Sequence, residues 1–413
     1  MREDRTNPTY LNTISVICAF LVPLLVTGPF LPDLTLSMLS VWFLYYSLKH
    51  KIYYVYLNSY FYIFICFCLV CLISSFLSDN IRLSLESSLF YFRIGIFALL
   101  ISYLIDNNQK IINYFYFAFI ITFSVLIIDG YIQYFTGSNL LGYKIHHTMR
   151  VSSFFESELI LGSYLSRLFP LFFALFVART KKYFLEIYII SIIFIAIDVL
   201  IFMAGERSSF ILLNLSTLFI IVFITKYKTL RICVFIVSIG IITFLTINDD
   251  RLYDRYIESP IKSMGLETKN KEKFLFTEAH DSLYRTSWNM FLDKPILGHG
   301  PKLFRVKCMD LKYAEGVYPC SSHPHNFYLQ LLAETGAIGF SFLVGVCFYF
   351  MYLMMRFILS YFKDKTKYLS DYQICLLAGL LITIWPITSN GNFFSNHLML
   401  FYSLQMGFFR KKV

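Results

Sequence analysis

Two histidines and an asparagine, His323, His325 and Asn326, open the run HPHNFYLQLLAETGAIGF, in which Gly336 and Gly339 follow. A neutral imidazole can take a proton from a hydroxyl, and an arginine fork can hold an anion through paired hydrogen bonds. Pro324 suits a first helical turn, and Leu329, Leu332, Gly336 and Gly339 or Phe340 follow His325 at helical spacing, so the run predicts a helix with both rings at its N-terminus. The free N–H groups there attract an anion such as a diphosphate, and the same field disfavours imidazolium. The competing reading is that the two rings only cap an apolar helix at a water surface.

The arginines supply the other half of the chemistry. Arg207 stands in AGERSS, Arg150 opens RVSSFFESE, which runs to Glu158, and Arg285 belongs to DSLYR. Arg285, Trp288 and Phe291 or Leu292 fit an amphipathic helix lying on or near a membrane. Arg93 and Arg167 lie inside apolar runs, where a charge is costly unless paired, hydrated or snorkelling to the headgroups. Each arginine taken alone also fits a simple headgroup contact, and Glu206 could neutralise Arg207. Glu156 and Glu158 are the one acidic pair of this set, too few ligands for a good metal site, so no metal and no cofactor is expected. Asp-x-Asp, Gly-x-Ser-x-Gly, His-Glu-x-x-His and the phosphate loop are absent from the connections between apolar segments.

The elements that must position these groups are apolar. Of 413 residues 57% are hydrophobic and 15% charged, too little charge for a soluble chain of this size. At ~20 residues per span, apolar windows fall at residues 12–31, 34–48, 59–77, 89–105, 112–135, 159–178, 183–203, 208–225, 230–247, 327–357, 372–388 and 394–409. The chain is therefore expected to be all-α and polytopic, with about twelve transmembrane helices. Its expected divisions are 1–248 with helices one to nine, a long and partly helical external loop at 249–326, and 327–413 with the last three. The first segment lacks a small-x-small cleavage pattern and reads as an uncleaved span.

Charge tests the count. With a cytoplasmic N-terminus, 18 basic residues fall on the inside, among them Lys49, Lys51, Arg179, Lys226, Lys228, Arg231 and Arg356, whereas short outside connections hold only Arg82, Lys144, Arg150 and Arg207. That bias sets orientation by the positive-inside rule and puts both termini inside. The net charge of +10 thus follows the membrane and speaks against a nucleic-acid partner. Seven cysteines fall in apolar segments and read as small hydrophobes, whereas Cys308 and Cys320, both in the long loop just before His323, are placed for a disulfide in an oxidising compartment.

His325-Asn326, nine residues, then Gly336-x-x-Gly339 resembles the motif of the bacterial O-antigen ligases, in the O-antigen ligase and polymerase superfamily. Gln133 to Gly137, Arg150 to Tyr164 and Arg285 through Gly300 are similar to the same family. The resemblance implies a metal-independent, inverting glycosyltransferase of the bacterial inner membrane with its site on the periplasmic side. Its donor would be a glycan linked to undecaprenyl diphosphate and its acceptor the lipid A core of lipopolysaccharide, among membrane lipids. His325 would be the base, and Arg207 and Arg285 would hold the diphosphate. His323, Asn326, Arg150, Arg167, Arg93 and Glu158 are the accompanying candidates for substrate binding. Two alternatives remain: an O-antigen polymerase joining lipid-linked repeats, for which two sizeable external loops would be expected, and a transporter, which would show internal repeats and broken helices at the midplane.

Overall fold

The computed structural model describes residues 8–146, 150–179, 184–266, 274, 276–363 and 368–409. Among these residues the fold is entirely helical, with a single isolated bridge between Ser138 and Lys144. The N-terminal half holds Pro8–Leu24 (α1), Phe30–Lys49 (α2), Ser59–Phe76 (α3), Ile81–Ser88 (α4), Phe92–Asn107 (α5) and Lys110–Thr136 (α6). Leu161–Ala178 (α7), Phe184–Met203 (α8), Arg207–Phe223 (α9) and Lys228–Asn248 (α10) follow. Beyond them come two short pieces, Asp250–Tyr253 (α11) and Ser259–Ser263 (α12), then Glu278–Asp293 (α13) and Phe304–Lys307 (α14). The last helices are Phe327–Lys363 (α15), Asp371–Ile384 (α16) and Asn396–Phe409 (α17).

Eight stretches among the described residues are long and apolar enough to cross a membrane: Thr9–Thr27, Ser59–Phe76, Ile81–Asn107, Lys110–Thr136, Leu161–Ala178, Phe184–Met203, Lys228–Asn248 and Phe327–Phe362. Met38, Val41, Ile121, Ile192, Ile236 and Phe348 leave large apolar side chains exposed on these and neighbouring helices. Such a surface suits lipid and not water. The protein is a multi-pass membrane protein.

Helix α7 is the axis of the bundle. Every residue from Tyr164 to Val177 is buried, as expected of a helix apolar all round, and α16, α9, α6 and α8 pack about it. Helix α1 lies on α6, α5 fits between α2 and α17, and α10 covers α8. At one end of the bundle Asp371 accepts hydrogen bonds from the Thr225 hydroxyl (2.9 Å) and the Lys226 N–H (2.7 Å). At the other end, links from the Tyr134 hydroxyl to Asp249, from Glu206 to the start of α7 and from Arg167 to Asn390 gather the connections that carry the polar motifs.

Several sequence expectations are corrected. The segment 89–105 is helical only from Phe92, where α5 starts, because residues 89–91 form a break after α4. The segment 372–388 stops as a helix at Ile384, and residues 385–395 form an irregular connection. Pro324 is not in a first turn: α15 begins at Phe327, and the Asn326 side chain accepts from the Tyr328 and Leu329 N–H groups at 2.9 and 3.2 Å. Asn326 is therefore the N-cap, a role for which asparagine is well suited. Finally, Gly336 does not continue the helix. Its φ of 65° and ψ of −169° break α15 there, a conformation open to glycine and almost nothing else.

Candidate functional site

The break at Gly336 is filled by the segment Pro295-Ile296-Leu297-Gly298-His299-Gly300. The Ala337 N–H donates to the Pro295 carbonyl at 2.8 Å and the Ile338 N–H to that of Ile296 at 3.2 Å. In return the His299 and Gly300 N–H groups donate to the Ala333 and Glu334 carbonyls at 3.0 and 2.8 Å. Backbone groups freed by the kink are thus satisfied by another backbone, as an apolar environment demands. A Cβ on Gly336 would lie 2.3 Å from the Ile296 oxygen, and one on Gly298 would lie 2.4 Å from the Glu334 carbonyl carbon. This explains why glycines stand in both stretches. The Ser74 hydroxyl, donating to the Leu297 carbonyl at 2.7 Å, ties the joint to α3.

On this platform three imidazoles converge. The His323 and His325 ring centroids are 4.1 Å apart, and His280, on α13, is 5.7 Å from His325. Thr277 caps α13 and its hydroxyl also meets His280 Nδ1 at 2.8 Å, which fixes that ring. Burial pushes the pKa of His325 down, with the backbone contact at Asn390 opposing it. Burial likewise lowers His323, to about 3, with the charges of His325 and Arg305 adding to the effect. His280 is lowered by burial, then by His325 and Arg207. All three shifts favour the neutral ring, and burial is the first cause of each.

Beside His280 the arginines gather. Arg207 starts α9, and Arg150, Arg255 and Tyr256 lie within its electrostatic reach. The Arg255 Nε donates to the Gly205 carbonyl at 2.8 Å, and Arg150 Nη2 donates to that of Leu159 at 3.3 Å. Gly205 turns with a φ of +67°, and a Cβ there would meet Arg150 Cγ at 3.0 Å. Tyr256 stacks on Phe202, centroids 4.1 Å apart, and donates to the Phe202 carbonyl at 2.7 Å, which holds the 254–258 turn over the end of α8. Glu206 does not neutralise Arg207. Its two oxygens accept the Gly162 and Ser163 N–H groups at 2.7 and 3.0 Å and the Ser209 hydroxyl at 2.9 Å, so it caps α7. Among the described residues Arg207 has no hydrogen bond or ion pair to protein, which leaves its fork open to a ligand. Next to this cluster an apolar groove of about 310 Å³ runs between α6, α8 and α10, lined by Phe135, Ile192, Val199, Met203 and Leu245 among others.

The remaining candidates stand apart from this group or behind it. Arg285 is exposed and donates to Asp281 at 2.7 Å and Glu315 at 3.3 Å, on the face of α13 that also exposes Trp288 and Leu292. Leu283 and Met290 point the other way, into a small core with Phe304, Tyr313 and Ala333. Arg93 pairs with Asp33 on α2. Glu158 is exposed on the approach to α7. Arg167 is buried; it donates to Ser163 and Asn390, each at 3.2 Å, while Nη1 has no partner. Cys308 and Cys320 are bonded, with Cα atoms 4.9 Å apart, closing the chain that leads to His323.

Three residues of the site escaped the sequence reading: His280, Arg255 and Asn390. His280 shares a helical face with Tyr284 and Ser287, a stripe overshadowed by the Arg285, Trp288 and Leu292 stripe of the same helix. Arg255 sits in a mixed-charge stretch and Asn390 in the connection between two apolar segments. Nothing in the spacing of either points to the histidines.

The fold and site define a class: a helical multi-pass membrane protein with a cluster of partly buried imidazoles and arginines at one end of its bundle. The family model described as O-Antigen ligase matches residues 189–344, from within α8 through the kink of α15. That stretch, less than half of the chain, is similar to the O-antigen ligase family. A comparison with curated proteins finds no match.

Proposed function

We propose that the protein is an O-antigen ligase, an inverting glycosyltransferase that moves polysaccharide from undecaprenyl diphosphate onto the lipid A core. The observation that carries this reading is the pairing of a neutral His325 with an uncommitted Arg207, with His280 between them. His325 takes the proton of the acceptor hydroxyl as its oxygen attacks the anomeric carbon. The carbon–oxygen bond to the diphosphate breaks on the opposite face, so the centre inverts. The bond's electrons leave with the diphosphate, whose charge Arg207, Arg150 and Arg255 neutralise. The apolar groove along α8 suits the donor's polyprenyl chain, since its end at Met203 is four residues from Arg207. Arg285, committed to Asp281 and Glu315, is left out of the diphosphate site.

In the bilayer the twelve apolar segments span, with both termini cytoplasmic and the histidines on the periplasmic face of the inner membrane; the distribution of basic residues supports this orientation. The single long segment 248–322 favours a ligase over a polymerase, and the lack of an internal repeat argues against a transporter.

Purified protein supplied with lipid-linked glycan and lipid A core should give the joined product in EDTA. Product that forms only with a second lipid-linked unit identifies a polymerase instead. His325→Ala should abolish transfer in a protein that still inserts, and labelling that finds position 325 on the cytoplasmic side defeats the assignment.

A further inference from the structure

Asn390 lies beyond the matched region, in the connection between α16 and α17, and Arg167 lies before it on α7. Three contacts meet at Asn390, two of them to the histidines and one to Arg167. Its N–H donates to the His325 carbonyl at 2.8 Å, its carbonyl oxygen faces His323 Nε2 at 3.3 Å, and its Oδ1 accepts from Arg167 Nη2 at 3.2 Å. Arg167 is itself held, by Ser163 Oγ on its Nε at 3.2 Å and by Gln405 donating to its carbonyl at 2.9 Å. Both side chains are buried, Arg167 at 4% and Asn390 at 2% exposure. His325 has a φ of 57°, a left-handed backbone that a residue with a Cβ keeps only when its surroundings impose it. The N–H of Asn390 is the group that grips that residue's carbonyl.

The connection is fastened on either side as well. Asn326 Nδ2 donates to the Pro386 carbonyl at 3.2 Å, and Gln330 Nε2 donates to Asn392 Oδ1 at 2.8 Å. Among the described residues Arg167 Nη2 is the one hydrogen-bond partner of the Asn390 side chain, since the Asn390 Nδ2 has none.

We propose that Arg167 and Asn390 are positioning residues for His325: Arg167 orients Asn390, whose main chain clamps the 323–325 turn so that the His325 ring faces His280 and Arg207. This rests on His325 being the base. It gives Arg167 a place behind the reacting groups, where a substrate contact had been expected, and it makes the site depend on helices outside the family match.

The test uses the full chain in lipid nanodiscs, with Arg167→Gln, Asn390→Ala and the double variant, plus Arg167→Lys in case a neutral substitution fails to fold. Donor affinity and the single-turnover rate are measured across pH. Each single variant should slow transfer at least about tenfold while donor affinity stays within about twofold, because the change falls on orientation and not on binding. The double variant should be no slower than the slower single one, since the two residues act as a unit. The acid limb of the rate should move up toward pH 6.5, as a loosened turn admits water to rings now shielded by His280, His323 and the backbone. Donor affinity falling in step with the rate, single effects that multiply, or full rate in Asn390→Ala would each overturn the proposal. Full rate in His325→Ala would instead overturn the assignment of the base.

Discussion

Replacing Gly336 by alanine strikes the joint on which the histidines stand. A Cβ there would sit 2.3 Å from the Ile296 oxygen and 2.4 Å from its carbonyl carbon, and both are backbone atoms that cannot rotate away. The residue must leave its φ of 65° and ψ of −169° or push the 295–298 segment off the helix. Holding a residue with a Cβ in such a conformation costs about 1–3 kcal/mol. Loss of the Ala337 and Ile338 hydrogen bonds to Pro295 and Ile296 adds about 1 kcal/mol each. The total is on the order of 4 kcal/mol. With an unfolding entropy of roughly 2.1 cal/mol/K per residue over 413 residues, that corresponds to about 5 °C in melting midpoint. Thermal unfolding of the purified protein in detergent reads this shift. Gly345→Ala, farther along the same helix, is the control, because a Cβ there would meet nothing within 4 Å. A Gly336→Ala protein that melts with the wild type, or a Gly345→Ala protein that loses more, refutes the interlock.

The other expectations concern charge. Arg207→Ala should weaken donor binding about tenfold to a hundredfold, the value of a charge-assisted pair, whereas Arg285→Ala should leave it within about twofold; isothermal titration with the lipid-linked diphosphate decides, and the reverse order would defeat the arginine assignment. Glu206→Gln keeps one acceptor for the start of α7 but gives up the charge, so thermal unfolding should show a loss of about 1–2 kcal/mol in stability. His299 is fully buried, with Nε2 on the Met290 carbonyl at 3.0 Å, and burial lowers its pKa from 6.5 to about 4. Above pH 6.5 it is neutral folded and unfolded, with no effect; as pH falls from 6.5 to about 4 only the unfolded chain takes the proton, so stability should drop by up to roughly 3 kcal/mol. Thermal midpoints of His299→Gln that decline over that window as steeply as wild type would show that other groups account for it.

What the sequence by itself determined is what repeats locally. Runs of apolar residues place most of the helices to within several positions, and His325-Asn326 with two glycines downstream marks the stretch that holds the candidate site. Asn326 shows its capping role only once the helix start is known, and Pro324 points to the wrong start because its local preference yields to the left-handed turn at His325. The tertiary structure alone decided which charges face the histidines. Helical spacing offers α13 two stripes, and packing of Leu283 and Met290 against the joint turns His280 inward and Arg285 to the surface. Arg255 and Asn390 reach the site from connections with no periodicity to betray them, over 50 and 65 residues from their partners at Gly205 and His325. The break at Gly336 belongs to the same category: the glycine is visible in the chain, but it is the backbone of Pro295 to Gly300, inserted from elsewhere, that makes an unwound turn inside an apolar bundle tolerable.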